Sequence, residues 1–134
     1  MACMADPDPR VAGAGFARLN AAGVTVVTPV LEPEARRFHA GHIAARLGQG
    51  PHVVLKLAVS SDGMIGLPDT GQVAITGPES WNYVHTLRAA NDAILVGVGT
   101  IISDNPSLTC RLPGLADRSP VRVVLDSGNR LPAT

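Results

Sequence analysis

Three features of this 134-residue chain predict an α/β fold. Short β-branched runs alternate with stretches of helical spacing, the order that assembles a sheet from strand–helix units. Glycine and proline punctuate the joints between those runs. The third feature is the run from Val53 to Val59. Side chains alternate faces along a strand, so Val53, Leu55, Leu57 and Val59 would form one wholly apolar face, as in a strand buried inside a sheet.

Taken in order, Val11 to Ala22 has helical spacing through Phe16 and Leu19 and should stop at Gly23, a residue suited to a left-handed C-terminal cap. Val24 to Val30 is β-branched and reads as a strand. Glu32 to Leu47 reads as one helix, with Phe38, Ile43 and Leu47 as its apolar positions. The chain divides best near Gly48-Gln49-Gly50-Pro51. Three elements in roughly fifty residues make a thin core, so this first part reads as the end of something larger.

After the division, a strand is expected from about His52 to Ser60, turning at Ser61-Asp62-Gly63, and a short strand from Gln72 to Ile75. Thr76-Gly77-Pro78-Glu79 fits a capping box, with Thr76 capping a helix, Glu79 reaching back and proline in the first turn. Ala93 to Val96 is a short buried strand, and Gly97-Val98-Gly99-Thr100 turns from it into a short helix. Val121 to Leu125 is the last strand, ending at Asp126-Ser127. The sequence stops at Thr134 with no helix after that strand, which is the expectation for a fragment.

Eleven Lys and Arg balance eleven Asp and Glu, so the basic excess of a nucleic-acid or membrane-surface protein is missing. Aromatic residues are 3% of the chain, too few for a single-strand stacking platform. Cys3 and Cys110 form no Cys-x-x-Cys pair and read as free thiols in a reducing compartment. No apolar run approaches a membrane span and the N-terminus lacks a signal pattern, which makes cytoplasmic the expected location.

Lys56 sits in the middle of the apolar strand, on the face shared by Val54, Ala58 and Ser60. It marks either a solvated sheet edge or a pocket where an anion offsets the cost of burying an ammonium. Arg88 shares a helical arc with Trp81, Val84 and His85, and there a guanidinium either snorkels or faces a ligand. Arg111 follows Pro106 and Leu108 in a loop. Together Lys56, Arg88 and Arg111 could clamp one phosphate, the arginines by bidentate contact and the lysine as a point charge. The Gly97-x-Gly99 turn lets backbone approach a ligand, but it lacks the third glycine and later acid of the Rossmann fingerprint. Asp104, just beyond, is either a loop cap or a polar group facing the site. His39 and His42 lack a third ligand and read as a solvated face. The His-x-Glu and Pro-Cys-x-x-Cys pattern of a zinc deaminase is absent.

Several blocks, in order, carry a resemblance: Lys56 to Gly63, Ile75-Thr76-Gly77-Pro78-Glu79, Leu87-Arg88-Ala89, Asp92 to Gly97, Gly99-Thr100, Asp104-Asn105-Pro106-Ser107-Leu108-Thr109 and Arg122 to Ser127. They resemble the reductase half of the bifunctional riboflavin-biosynthesis deaminase–reductase family. Asp6 to Gly13 resembles the close of its deaminase half. The resemblance implies residues 1–50 as the C-terminal tail of a cytidine-deaminase-like domain, without its zinc site. Residues 51–134 would be the N-terminal part of a dihydrofolate-reductase-like reductase domain.

The implied activity is NADPH-dependent reduction of 5-amino-6-(5-phosphoribosylamino)uracil to its ribityl form, with hydride passing to the sugar carbon C1′. The implied setting is cytoplasmic and, at full length, homo-oligomeric. Carried over by position, Ala58, Thr100, Asp104 and Ser127 fall at cofactor contacts. Lys56, Arg88, Leu108 and Arg111 fall at substrate contacts, and Lys56 and Asp104 are the candidate catalytic pair. Gln72 and Ala74 stand where many relatives carry a substrate-contacting serine and a cofactor-contacting tryptophan. Met64 replaces a common basic residue and Asn105 a common aspartate. The reading of another class is a non-catalytic remnant whose partial sheet packs against a partner.

Overall fold

The computed structural model describes residues 1–67 and 73–132, in two compact units, Met1–Leu55 and Lys56–Thr134. Gln72, and with it the start of the strand expected at 72–75, lies outside the described residues; residues 73–75 form no strand.

In the first unit, α1 spans Ala14–Ala21. It begins later than the spacing predicts because Ala12 and Gly13 both hold positive φ, which a right-handed helix cannot pass through. Its end is as expected. Gly23 (φ 79°) donates to the Asn20 carbonyl at 3.0 Å and Val24 to that of Leu19 at 3.0 Å, the paired bonds of a Schellman motif.

The expected strand at 24–30 is an extended segment that meets Ala2 through two backbone bonds, Ala2 N–H to Val27 (3.0 Å) and Val30 N–H to Ala2 (3.2 Å). Pro29 has no N–H to continue a ladder. The single helix expected at 32–47 is two, α2 (Glu32–Phe38) and α3 (Ala40–Arg46). The backbone leaves helical geometry at His39 (φ −98°, ψ 16°), and Phe38 is 86% exposed, so no packing holds the two pieces in line. The Asp8 carboxylate grips Arg10 at 2.6 Å and lies 3.8 Å from Arg46. Bonds from the Arg10 side chain hold the Asp8 carboxyl below its ordinary value.

In the second unit, α4 spans Pro78–Ala90, β1 Ala93–Gly97, α5 Val98–Asp104 and β2 Val121–Leu125, with a 3-10 turn at Ala116–Arg118. The strands pair in parallel, Ala93 opposite Val121 through Gly97 opposite Leu125. The α/β class is therefore observed. α4 starts where proline marks it, but its N-cap is Gly77, with no side-chain capping bond. Thr76 is not the cap, and the capping box does not form.

The largest departure is at residues 52–60. The chain is extended there, yet no strand forms. Among the described residues no backbone bond is made from 51 to 59, and the first is Ser60 N–H to Met64 at 2.9 Å. A strand exists only through its ladder partners, and here Val53 and Leu55 are 79% and 78% exposed. The turn that follows does form, with Gly63 at φ 83° and its N–H on the Ser60 carbonyl at 3.0 Å. The buried centre of this unit is small: His85, Val98, Leu108, Cys110 and Pro120. No helix among the described residues is long and apolar enough to cross a membrane.

Candidate functional site

A loop at 105–111 carries the site. It leaves α5 through Asn105 and passes Leu108, both at positive φ (39° and 55°), and Leu108 is turned inward at 6% exposure. Four bonds pin it. Arg88 on α4 donates Nη1–H to the Thr109 carbonyl at 3.0 Å. The Arg111 N–H donates to His85 Nδ1 at 3.2 Å. Cys110 donates its N–H to Ser119 Oγ at 3.0 Å and its thiol to the His85 carbonyl at 3.4 Å. Ser119 in turn donates to the Ala116 carbonyl at 2.7 Å, which ties the loop to the 3-10 turn. The Arg111 side chain is exposed and reaches Ser107 Oγ at 2.7 Å.

The electrostatics are one-sided. Burial, and then the charge of Arg111, pull Arg88 below its ordinary value. Its Nε is buried with no hydrogen-bond partner, and no acidic side chain pairs with Arg88 or Arg111 among the described residues. Burial also lowers His85, helped by Arg88 and Arg111 and opposed by the Thr109 carbonyl. A half-buried guanidinium whose Nε has no acceptor is costly, and a phosphate would supply both the charge and an acceptor.

A second group of expected residues stands past the carboxyl ends of the parallel strands, where α/β sheets take ligands. Thr100 is in the first turn of α5 and Ser127 lies just after β2; both are exposed. Asp104 closes α5, exposed, with its carboxylate bonded by the Ser103 hydroxyl. The pair Arg88–Arg111 and buried Leu108 are thus gathered around one loop, while Thr100 and Ser127 share the strand ends.

Lys56 and Ala58 join neither group. Lys56 is exposed on extended backbone and makes no hydrogen bond or ion pair among the described residues. The structure brings together two of the three basic residues expected to form the clamp; the stretch that carries Lys56 has no strand partner among the described residues. Ala74 is exposed. Sequence reasoning put His85 on the arc of Arg88 but gave it no part in the site. Its partner is 26 residues away, a contact that no local pattern announces. No group of three or more potential metal ligands is gathered among the described residues.

Fold and site together define an α/β domain with two arginines, neither paired with an acid among the described residues, set against a pinned loop. Residues 51–134 match the RibD C-terminal domain family, and the chain belongs to that family. It is 41% identical to riboflavin biosynthesis protein RibD of Chlamydia pneumoniae over 133 residues, and 34% identical to that of Escherichia coli over 142. Each match takes in 98% of this chain but only 35% and 39% of those relatives' length.

Among solved structures, the diaminohydroxyphosphoribosylaminopyrimidine deaminase/5-amino-6-(5-phosphoribosylamino)uracil reductase of Thermotoga maritima superposes with a TM-score of 0.82 at 37% identity. That match covers 96% of this chain and 36% of that one. Acinetobacter baumannii RibD gives 0.79 at 34% identity, covering 97% and 38%.

Proposed function

We propose that the chain serves the reductive step of riboflavin synthesis, the NADPH-dependent conversion of 5-amino-6-(5-phosphoribosylamino)uracil to its ribityl form. The observation that carries this reading is the pair Arg88 on α4 and Arg111 on the loop, the Arg88 Nε buried without a hydrogen-bond partner and no acid meeting either side chain among the described residues, which suits a sugar phosphate. On this reading residues 1–50 are the tail of a deaminase domain and 51–134 the first part of a dihydrofolate-reductase-like domain. The setting is cytoplasmic and the full-length form a homo-oligomer, with a phosphorylated small molecule as its partner rather than nucleic acid.

The residues present fit the cofactor. At Gly97, which ends β1, and Gly99, in the first turn of α5, an added Cβ would meet nothing within 4 Å, and Thr100 and Ser127 are exposed past the same strand ends. Bound NADPH supplies the hydride. The chain's own residues do the rest: Arg88 and Arg111 hold the phosphate, buried Leu108 sets the loop floor, and Thr100 and Ser127 border the cofactor. Reduction at C1′ breaks the bond from C1′ to the ring oxygen, adding hydride to carbon and a proton to oxygen. Asp104 and Lys56 are the candidates to deliver that proton.

The test is NADPH oxidation by the full chain with this substrate. Turnover that falls in Arg88→Ala and Asp104→Ala supports the reading. A chain that binds neither NADPH nor the phosphorylated substrate contradicts it, and favours the other reading, a non-catalytic segment that packs on a partner. The exposure of Val53, Leu55 and Leu57 is the observation on that side.

A further inference from the structure

We propose that His85 is the positioning residue of the phosphate site, its Nδ1 holding the Arg111 backbone so that both arginines address one anion. The inference rests on the sugar-phosphate reading above and adds a residue to it. Three features of the geometry carry it. His85 is 8% exposed, on α4 three residues before Arg88, which places it and Arg88 on one side of the helix. The ring accepts the Arg111 N–H at 3.2 Å, while the backbone carbonyl of His85 takes the Cys110 thiol at 3.4 Å. One residue thus touches the loop at two successive positions, and Arg88 touches it at a third, Thr109.

The consequence is specific to Nδ1. An acceptor at that place fixes the direction in which the chain passes Arg111, and so where its guanidinium starts from. Among the described residues the Arg111 side chain is anchored to Ser107 alone, at 2.7 Å on the exposed side. An acceptor displaced by one bond would leave the Arg111 N–H unpaired in a half-buried place, at the cost of about one hydrogen bond. His85 itself need not touch the ligand.

Asparagine places its carbonyl oxygen near the position of Nδ1, whereas glutamine carries its polar end farther out, nearer Nε2. The probe is ribose 5-phosphate, titrated into the full chain and followed by the amide resonance of Arg111 and the Nε–H of Arg88. Wild type and His85→Asn should bind within about threefold of each other, and His85→Gln about five- to tenfold more weakly, the equivalent of one lost hydrogen bond. NADPH affinity, read separately, should be the same in all three, which a general loosening of the fold would not allow. In ligand-free wild type, imidazole nitrogen shifts should report Nδ1 as the unprotonated, hydrogen-bonded nitrogen.

Equal affinities in His85→Asn and His85→Gln, whether high or low, overturn this inference alone. A protonated Nδ1 does so as well, with no ligand involved. Absence of ribose 5-phosphate binding in wild type overturns the sugar-phosphate reading, and this inference with it.

Discussion

Removing Arg88 should do two separable things, since the same side chain offers charge to a ligand and braces the Thr109 carbonyl. Arg88→Ala and Arg111→Ala should each weaken a phosphorylated substrate by about 1.5–3 kcal/mol, the worth of charge-assisted bonds. Both should leave the dephosphorylated counterpart nearly unaffected, so the ratio of the two affinities is the quantity to measure. His85 gives a pH dependence with a definite sign. Its folded value lies below the ordinary 6.5, so the unfolded chain takes up the proton more readily, and stability rises with pH across the interval between the two values. Below that interval the penalty is fully present; above 6.5 it is gone. The groups around the ring are Arg88 on α4 and Cys110 and Arg111 on the loop. Asp117 and Arg118, on the 3-10 turn packed against α4, are exposed and make no ion pair among the described residues. Melting temperature followed downward through pH 6.5 should fall in wild type and stay flatter in His85→Asn.

Elements whose signals are local are the ones the sequence discloses. Gly23 ends α1 through a backbone conformation open to glycine, Pro78 opens α4, and the β-branched run Val121–Leu125 is β2 from end to end. A change at Gly23 tests this directly. Gly23→Ala forces a side chain into φ 79° and should destabilise the first unit by about 1 kcal/mol, read as a lower denaturation midpoint with an unchanged slope. What the sequence does not disclose depends on distant partners. The alternation from Val53 to Val59 is a strand pattern, but pattern supplies only one side of a ladder, and these residues have no other side among those described. The two arginines could be picked out because unpaired basic residues near apolar ones are conspicuous. His85 could not, because a histidine on an apolar arc looks the same whether or not a loop folds back onto its Nδ1.

Each unit, taken by itself, has a thin core and much uncovered apolar surface. Leu95 on β1 and Val121 and Leu125 on β2 are 59%, 68% and 60% exposed, in line with Leu55 at 78%. A two-stranded sheet is marginal alone, and exposed apolar edges promote association. The purified chain should therefore self-associate, with a mass by light scattering that grows with concentration. A monomer of 13.8 kDa that stays monomeric at high concentration and melts cooperatively would contradict this. The loop at 105–111 is different, being fastened at Thr109, Cys110 and Arg111 by the protein's own bonds. A loop already fastened has no ordering step to complete after encounter, so capture of a phosphate ester should proceed at a speed set by diffusion and by attraction to the two guanidinium groups. Such attraction is screened beyond about 8–10 Å at ionic strengths of roughly 0.1–0.15 M, and more closely as salt is added. Ionic strength should therefore slow the arrival of the ester far more than it hastens its departure.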